Sequence, residues 1–230
     1  MSTTRQRFEH ELSALHTDIL EMAGCADEMV ARAVQALIEG DTALAETVVS
    51  QDDVVDQFDL DIERKCLLLL VREQPVARDL RVVGTALKII SDIERIGDYA
   101  VDIARIGQRL VRAGEVYRPV VDLPHLTHLS RTMLHEALLA FAHQDLELVA
   151  KVIRDDDEVD RIYKSIRDQV TRSLLDGPER GLLLLNVMFA AKYLERISDH
   201  VVNIAERVAF IENNQLRTHL IAAAGTDTSA

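Results

Sequence analysis

The sequence predicts an all-α protein made of two tandem three-helix bundles, six long helices arranged up-down-up within each half like spectrin repeats. Three observations predict it. Hydrophobic residues are 48% of the 230 but aromatics only 4%, with no Trp, few Gly and Pro and no sustained alternation, a balance that suits helices. Apolar residues recur at threes and fours over stretches of about 30 residues, enough for roughly 45 Å of helix. The chain also repeats itself. Met29 to Glu63 overlays Met133 to Arg167 without a gap, and Met29, Asp41, Val48, Asp52, Val55, Asp56 and Ile62 are among the residues that recur.

The first helix is expected from about Arg7 to Glu39, ending at Gly40. Asp41 is the expected N-cap of the second, which runs to about Arg72. Along it Val48, Asp52, Val55, Asp59, Ile62, Cys66 and Leu69 step by fours and threes, a seam with two Asp written into it. Pro75 breaks the pattern, and a third helix is expected from about Val76 to Arg112. Gly114, Pro119 and Pro124 then punctuate a connection. Residues 1–113 form the expected first bundle, 114–123 a linker and 124–216 the second bundle. Pro178 answers Pro75 at the matching turn, and the third helices align with about three residues fewer between them. The Ala-, Thr- and Ser-rich residues 217–230 read as a disordered tail.

Net charge is −13, and only five of the 26 basic residues are Lys. This argues against nucleic acid or an anionic membrane surface as a direct partner and fits cations or basic protein surfaces, although plain solvation accounts for much of the charge. Cys25 and Cys66 read as free thiols of a reducing compartment. No apolar signal core opens the chain, and the run Gly181 to Ala191 is short of the roughly 20 residues that span a bilayer. A cytoplasmic protein is expected.

The candidate chemistry lies in the stretch Asp92 to Ala104, which returns as Tyr193 to Ala205. Glu94, Asp98 and Asp102 fall at four-residue steps, as do Glu195, Asp199 and Asn203. Glu94 shares a stripe with Leu87, Ile90 and Val101, and Glu195 one with Met188, Ala191 and Val202. A carboxylate beside a core demands a partner. Asp52 and Asp56, repeated as Asp156 and Asp160, add oxygen from the preceding helix of each unit. Such sets suit hard cations such as Mg²⁺, Mn²⁺, Ca²⁺ or iron, and several carboxylates together suit a multinuclear cluster. The bland reading is a charge-paired face, with Arg95 and Arg196 each one residue beyond the Glu. His200, adjacent to Asp199, points about 100° away on a helix and reads as structural. Asp53, Asp155 and Asp157 read as solvated, and Met22, Met29 and Met133 as core.

No phosphate loop, nucleophile elbow or Cys/His dyad is present, and no Glu has His three residues later as a di-iron oxidase bundle needs. A non-enzymatic protein is expected. A metal-dependent hydrolase, a metal store and a purely structural helical module are the alternatives.

Gln74-Pro75, Asp79-Leu80-Arg81 and Glu94-Arg95-Ile96-Gly97-Asp98 resemble the first-half signature of the PhoU regulators of phosphate signalling. Leu194-Glu195-Arg196-Ile197-Ser198-Asp199, followed by Asn203-Ile204, resembles its second-half partner, with Ser198 where the family usually has Gly. Asn203 against Asp102 makes the two halves unequal. The resemblance implies two bundles related by an approximate internal two-fold, a homodimer, and metal at the Glu-x-x-x-Asp elements, with iron or zinc in some members. It also implies negative regulation of the phosphate regulon, through contacts with a sensor histidine kinase and the ATPase subunit of a phosphate ABC transporter. The membrane is then touched only through the transporter.

Overall fold

The computed structural model describes residues 3–119, 121–176 and 180–213. Six helices account for almost all of them: α1 (Thr3–Glu39), α2 (Thr42–Glu73), α3 (Arg78–Arg112), α4 (Leu123–His143), α5 (Leu146–Asp176) and α6 (Gly181–Asn213). Among the described residues there is no strand. The expected all-α, two-bundle fold is the one observed. Helices α1, α2 and α3 pack on one another, as do α4, α5 and α6, and the bundles join through α3 against α6 and α1 against α4. The expected turn at Pro178 and the expected tail lie outside the described residues.

Local chemistry sets the helix ends. Gly40 and its repeat equivalent Gln144 both take left-handed backbone, with φ of 69° and 57°. Glycine does so freely, whereas Gln144 carries a steric cost and accepts a 2.6 Å hydrogen bond from Arg78. Each is followed by an Asp cap. Asp41 accepts from the N–H groups of Ala43 and Leu44 at 2.9 Å, and Asp145 from those of Glu147 and Leu148 at 2.9 and 3.2 Å. One boundary differs from expectation. Helix α3 starts at Arg78, not Val76, because Gln74 and Ala77 adopt φ of 46° and 51° to reverse the chain around Pro75. Helix α1 likewise reaches back to Thr3, four residues beyond the expected start.

The seam of α2 packs as its spacing predicts, with Val48, Val55, Ile62, Cys66 and Leu69 buried. Burial pushes the Cys66 thiol up to about 12, so it stays protonated, and Met22, Met29 and Met133 are fully buried. Gly107 decides how closely α1 and α3 approach. A Cβ there would stand 3.0 Å from Leu37 Cα, so only glycine permits the contact. Its repeat equivalent is the fully buried Val208, so the second bundle accommodates a branched side chain at this level.

Between the bundles, Asp27 receives a bidentate pair from Arg131 at 2.8 and 2.7 Å. These two residues are repeat equivalents, which places them on the internal two-fold. Tyr99 and His200 are equivalents too, with ring centroids 5.7 Å apart across the α3–α6 seam.

Candidate metal centres

Each bundle sets its acidic α2 or α5 face against the acidic face of α3 or α6. In the first bundle the carboxyl of Asp52 lies against Gly97, with Oδ1 3.6 Å from where a Cβ would stand. Burial, then the charges of Asp56 and Asp98, push Asp52 up to about 6, with Arg105 opposing. Burial followed by Asp98, Asp56 and Asp59 raises Glu94. The predicted residues Asp52, Asp56, Glu94 and Asp98 therefore share one electrostatic environment. The second bundle copies this. Asp156 is pushed up to about 6 by burial, then by Asp160 and Asp199, with Glu195 contributing.

Cations already sit on these faces. Arg95 donates to Asp98 at 2.8 Å and approaches Glu94 at 3.5 Å. Arg196 donates to Asp199 at 3.1 Å, and Lys192 binds both oxygens of Glu195. The Glu195 side chain is only 12% exposed against 28% for Glu94, so its charge leans more on its partner. An open cleft of about 360 Å³ beside the first face is lined by Asp52, Asp98, Asp102, Tyr99 and the two arginines Arg95 and Arg105.

The last position of each predicted set is shared with the seam. Asp102 lines the cleft and also stands by Tyr193, whose phenol pKa is raised by burial and then by the Asp102 charge and whose ring stacks on Tyr99 at 5.6 Å. Asn203 donates to Asp92 at 3.3 Å, and His200 lies 2.8 Å from the same Asp92 oxygen. Asp92 and Tyr193 are repeat equivalents, so these are two versions of one symmetric contact. His200 is thus a seam residue. Asp53 and Asp157 are exposed, while Asp155 is half-buried and pairs with Lys151 at 2.7 Å.

Sequence reasoning missed Asp59 as part of the first set. Its Oδ1 is fully enclosed and accepts no hydrogen bond, and burial, then Glu63 and Asp56, raises its pKa. Its place in the α2 seam was the signal available. An all-oxygen donor set with an orphaned buried carboxylate oxygen fits a hard cation chemically. As placed, among the described residues, no three His, Cys, Asp or Glu side chains are grouped so that they could hold a metal ion.

The sequence model of the PhoU domain matches residues 19–107 and again 123–208, one match per bundle. The chain belongs to the PhoU family. A phosphate-specific transport system accessory protein PhoU homolog of Pseudomonas aeruginosa is 37% identical over 90% of this chain and 85% of its own. One of Clostridium acetobutylicum is 33% identical over 90% and 95%. The crystal structure of PhoU from P. aeruginosa superposes with a TM-score of 0.86 at 36% identity, covering 90% of this chain and all of that one. The phosphate transport system regulatory protein PhoU from Streptococcus pneumoniae gives 0.83 at 27% identity, over 91% and 98%. No described helix is long and apolar enough to cross a membrane.

Proposed function

We propose that this chain is a non-enzymatic accessory regulator of phosphate-specific transport, acting in the cytoplasm as a homodimer. It restrains uptake and the phosphate regulon by linking the transporter's ATPase subunit to a sensor histidine kinase. The observation that carries this reading is the correspondence, over about nine-tenths of the chain, with relatives named as accessory proteins of such transport systems. The fold supports it, since two rigid bundles with broad outer faces suit docking better than turnover. Purified protein is expected to bind the ATPase subunit or the kinase at micromolar concentration and to lack phosphatase activity. Binding to neither, or robust hydrolysis abolished by Asp98→Ala, overturns it.

The carboxylate faces are proposed as sites for divalent or iron-type cations, Mg²⁺, Mn²⁺, iron or the softer zinc. Asp52, Asp56, Glu94, Asp98 and Asp102 would hold ions in the first bundle, and Asp156, Asp160, Glu195, Asp199 and Asn203 in the second. A bound ion would supply positive charge to the half-buried Asp52, Glu94, Asp98, Asp102, Asp156, Glu195 and Asp199, with the exposed Asp56, Asp160 and Asn203 at the rim. Arg95 and Arg196 would have to leave Asp98 and Asp199, and such half-exposed pairs hold by only about 1 kcal/mol or less. Those same pairs favour a second reading, in which the faces are simply charge-paired. Elemental analysis of metal per chain separates the two.

A further inference from the structure

The two acidic faces differ at one end, and the repeat shows how. Facing Glu94 in the first bundle are Asp59 and Ser91. At the equivalent positions facing Glu195 in the second stand Tyr163 and Lys192. Ser91 turns away, its hydroxyl donating to Leu87 O at 3.3 Å on its own helix. Asp59 stays, with Oδ1 enclosed and unpartnered. In the second bundle the Lys192 ammonium sits on both oxygens of Glu195 and 5.1 Å from the centre of the Tyr163 ring. Tyr163 supplies a π face where the first bundle has a carboxylate. One end therefore carries acid with no ammonium, and its twin carries an ammonium with one acid fewer.

We infer that Lys192 is a built-in stand-in for a metal ion at the second face, so that the first face, completed by Asp59, is the one that takes a divalent cation tightly. The inference rests on the reading of these faces as cation sites. The chemistry is a competition between like-charged occupants. A divalent ion entering at Glu195 must displace an ammonium held by a carboxylate and a ring, whereas one entering at Glu94 meets Asp56, Asp59 and Asp98 and displaces only the half-exposed Arg95. Asp59 adds a hard oxygen donor of the type that Mg²⁺ and Mn²⁺ prefer. The second face then responds only at higher cation concentration.

The test titrates Mn²⁺ into the metal-stripped full chain, reading free Mn²⁺ by electron paramagnetic resonance and checking each variant by circular dichroism. Two classes of bound ion are expected. Glu94→Ala with Asp98→Ala removes the tight class, and Glu195→Ala with Asp199→Ala spares it; the amide pairs Glu94→Gln with Asp98→Asn, and Glu195→Gln with Asp199→Asn, serve if an alanine pair loses helicity. Lys192→Met tightens the weak class by about tenfold, whereas Lys192→Arg, which keeps the charge, does not. Asp59→Asn weakens the tight class alone. Loss of the tight class from the second-face variant, an unchanged weak class in Lys192→Met, or one class shared equally by both faces overturns the inference while leaving the faces as cation sites. A wild-type chain that binds no Mn²⁺ overturns both.

Discussion

In the first bundle Asp52, Asp56, Asp59, Glu94 and Asp98 lie along one acidic face with Arg95 paired to Asp98; in the second, Asp156, Asp160, Glu195 and Asp199 form the matching face and a lysine, Lys192, is paired to Glu195. The helices, caps and seam are copied between the two, so the backbone supplies the same frame twice. The difference lies in a few side chains at positions where the repeat has diverged. A duplicated fold thus supplies two versions of one acidic face, and the substitutions that distinguish them act on charge more than on shape. Packing has diverged too. Gly107 lets α3 lie close against Leu37 of α1, where the second bundle has the buried side chain of Val208.

The largest expected effect removes both faces at once. The quadruple variant Glu94→Ala, Asp98→Ala, Glu195→Ala and Asp199→Ala should carry no metal where the wild type carries some, by elemental analysis of folded protein. Equal, negligible metal in both would return the faces to salt bridges.

Next in size are exchanges of packing between the bundles. Gly107→Val places side-chain carbon against Leu37 backbone and should cost about 3 kcal/mol. The reverse change, Val208→Gly, empties a buried site and loosens a helix, again for about 3 kcal/mol. Urea denaturation measures both. If Gly107→Val is neutral, the close α1–α3 approach is not a real constraint.

The acid–base prediction is smaller. Asp52 and Asp156 titrate near 6 in the folded chain against an ordinary 3.8, so folding favours their protonated forms. Their stabilising contribution is fully present below about pH 4 and is lost as pH rises through about 6. The Tm of metal-free protein should therefore fall between about pH 4 and 6 from this cause, by an amount reduced by solvent screening. Asp52→Asn with Asp156→Asn should flatten that slope and raise Tm at neutral pH by a few degrees. A slope unchanged in the double variant would refute it.

The smallest effect compares Gly97 with Ser198. A Cβ at Gly97 makes only ordinary contacts, at 3.5 Å from Val55 and 3.6 Å from Asp52, so Gly97→Ser should change stability by less than about 1 kcal/mol. Ser198 is fully buried, and its hydroxyl donates to Ser130 Oγ at 3.0 Å. Ser198→Gly should cost about 1–2 kcal/mol by leaving that network short of a member. Thermal melts of the two variants give the ranking, which a larger loss in Gly97→Ser would reverse.

Sequence periodicity by itself determined the six helices, the Asp41 cap, the α2 seam and the helix face that carries each carboxylate, because all of these follow from a local rise and turn per residue. It also set His200 off the stripe of Glu195 and Asp199, and the structure has it beside Asp92. The repeat established that the second half has the same three-helix order as the first, with acidic residues at corresponding positions. Tertiary structure alone decided the remainder. Asp92 meets His200 and Asn203 from 108 and 111 residues away, and burial, then the Asp102 charge across the seam, raises the Tyr193 pKa. Tyr163 of α5 comes to lie 5.1 Å from the Lys192 ammonium of α6, and Asp59 Oδ1 is enclosed without a hydrogen-bond partner. Electrostatic partnership depends on distance through space, and the helical period fixes only which way a side chain points. How far away its partner stands is settled by the packing of helices that are remote in the chain.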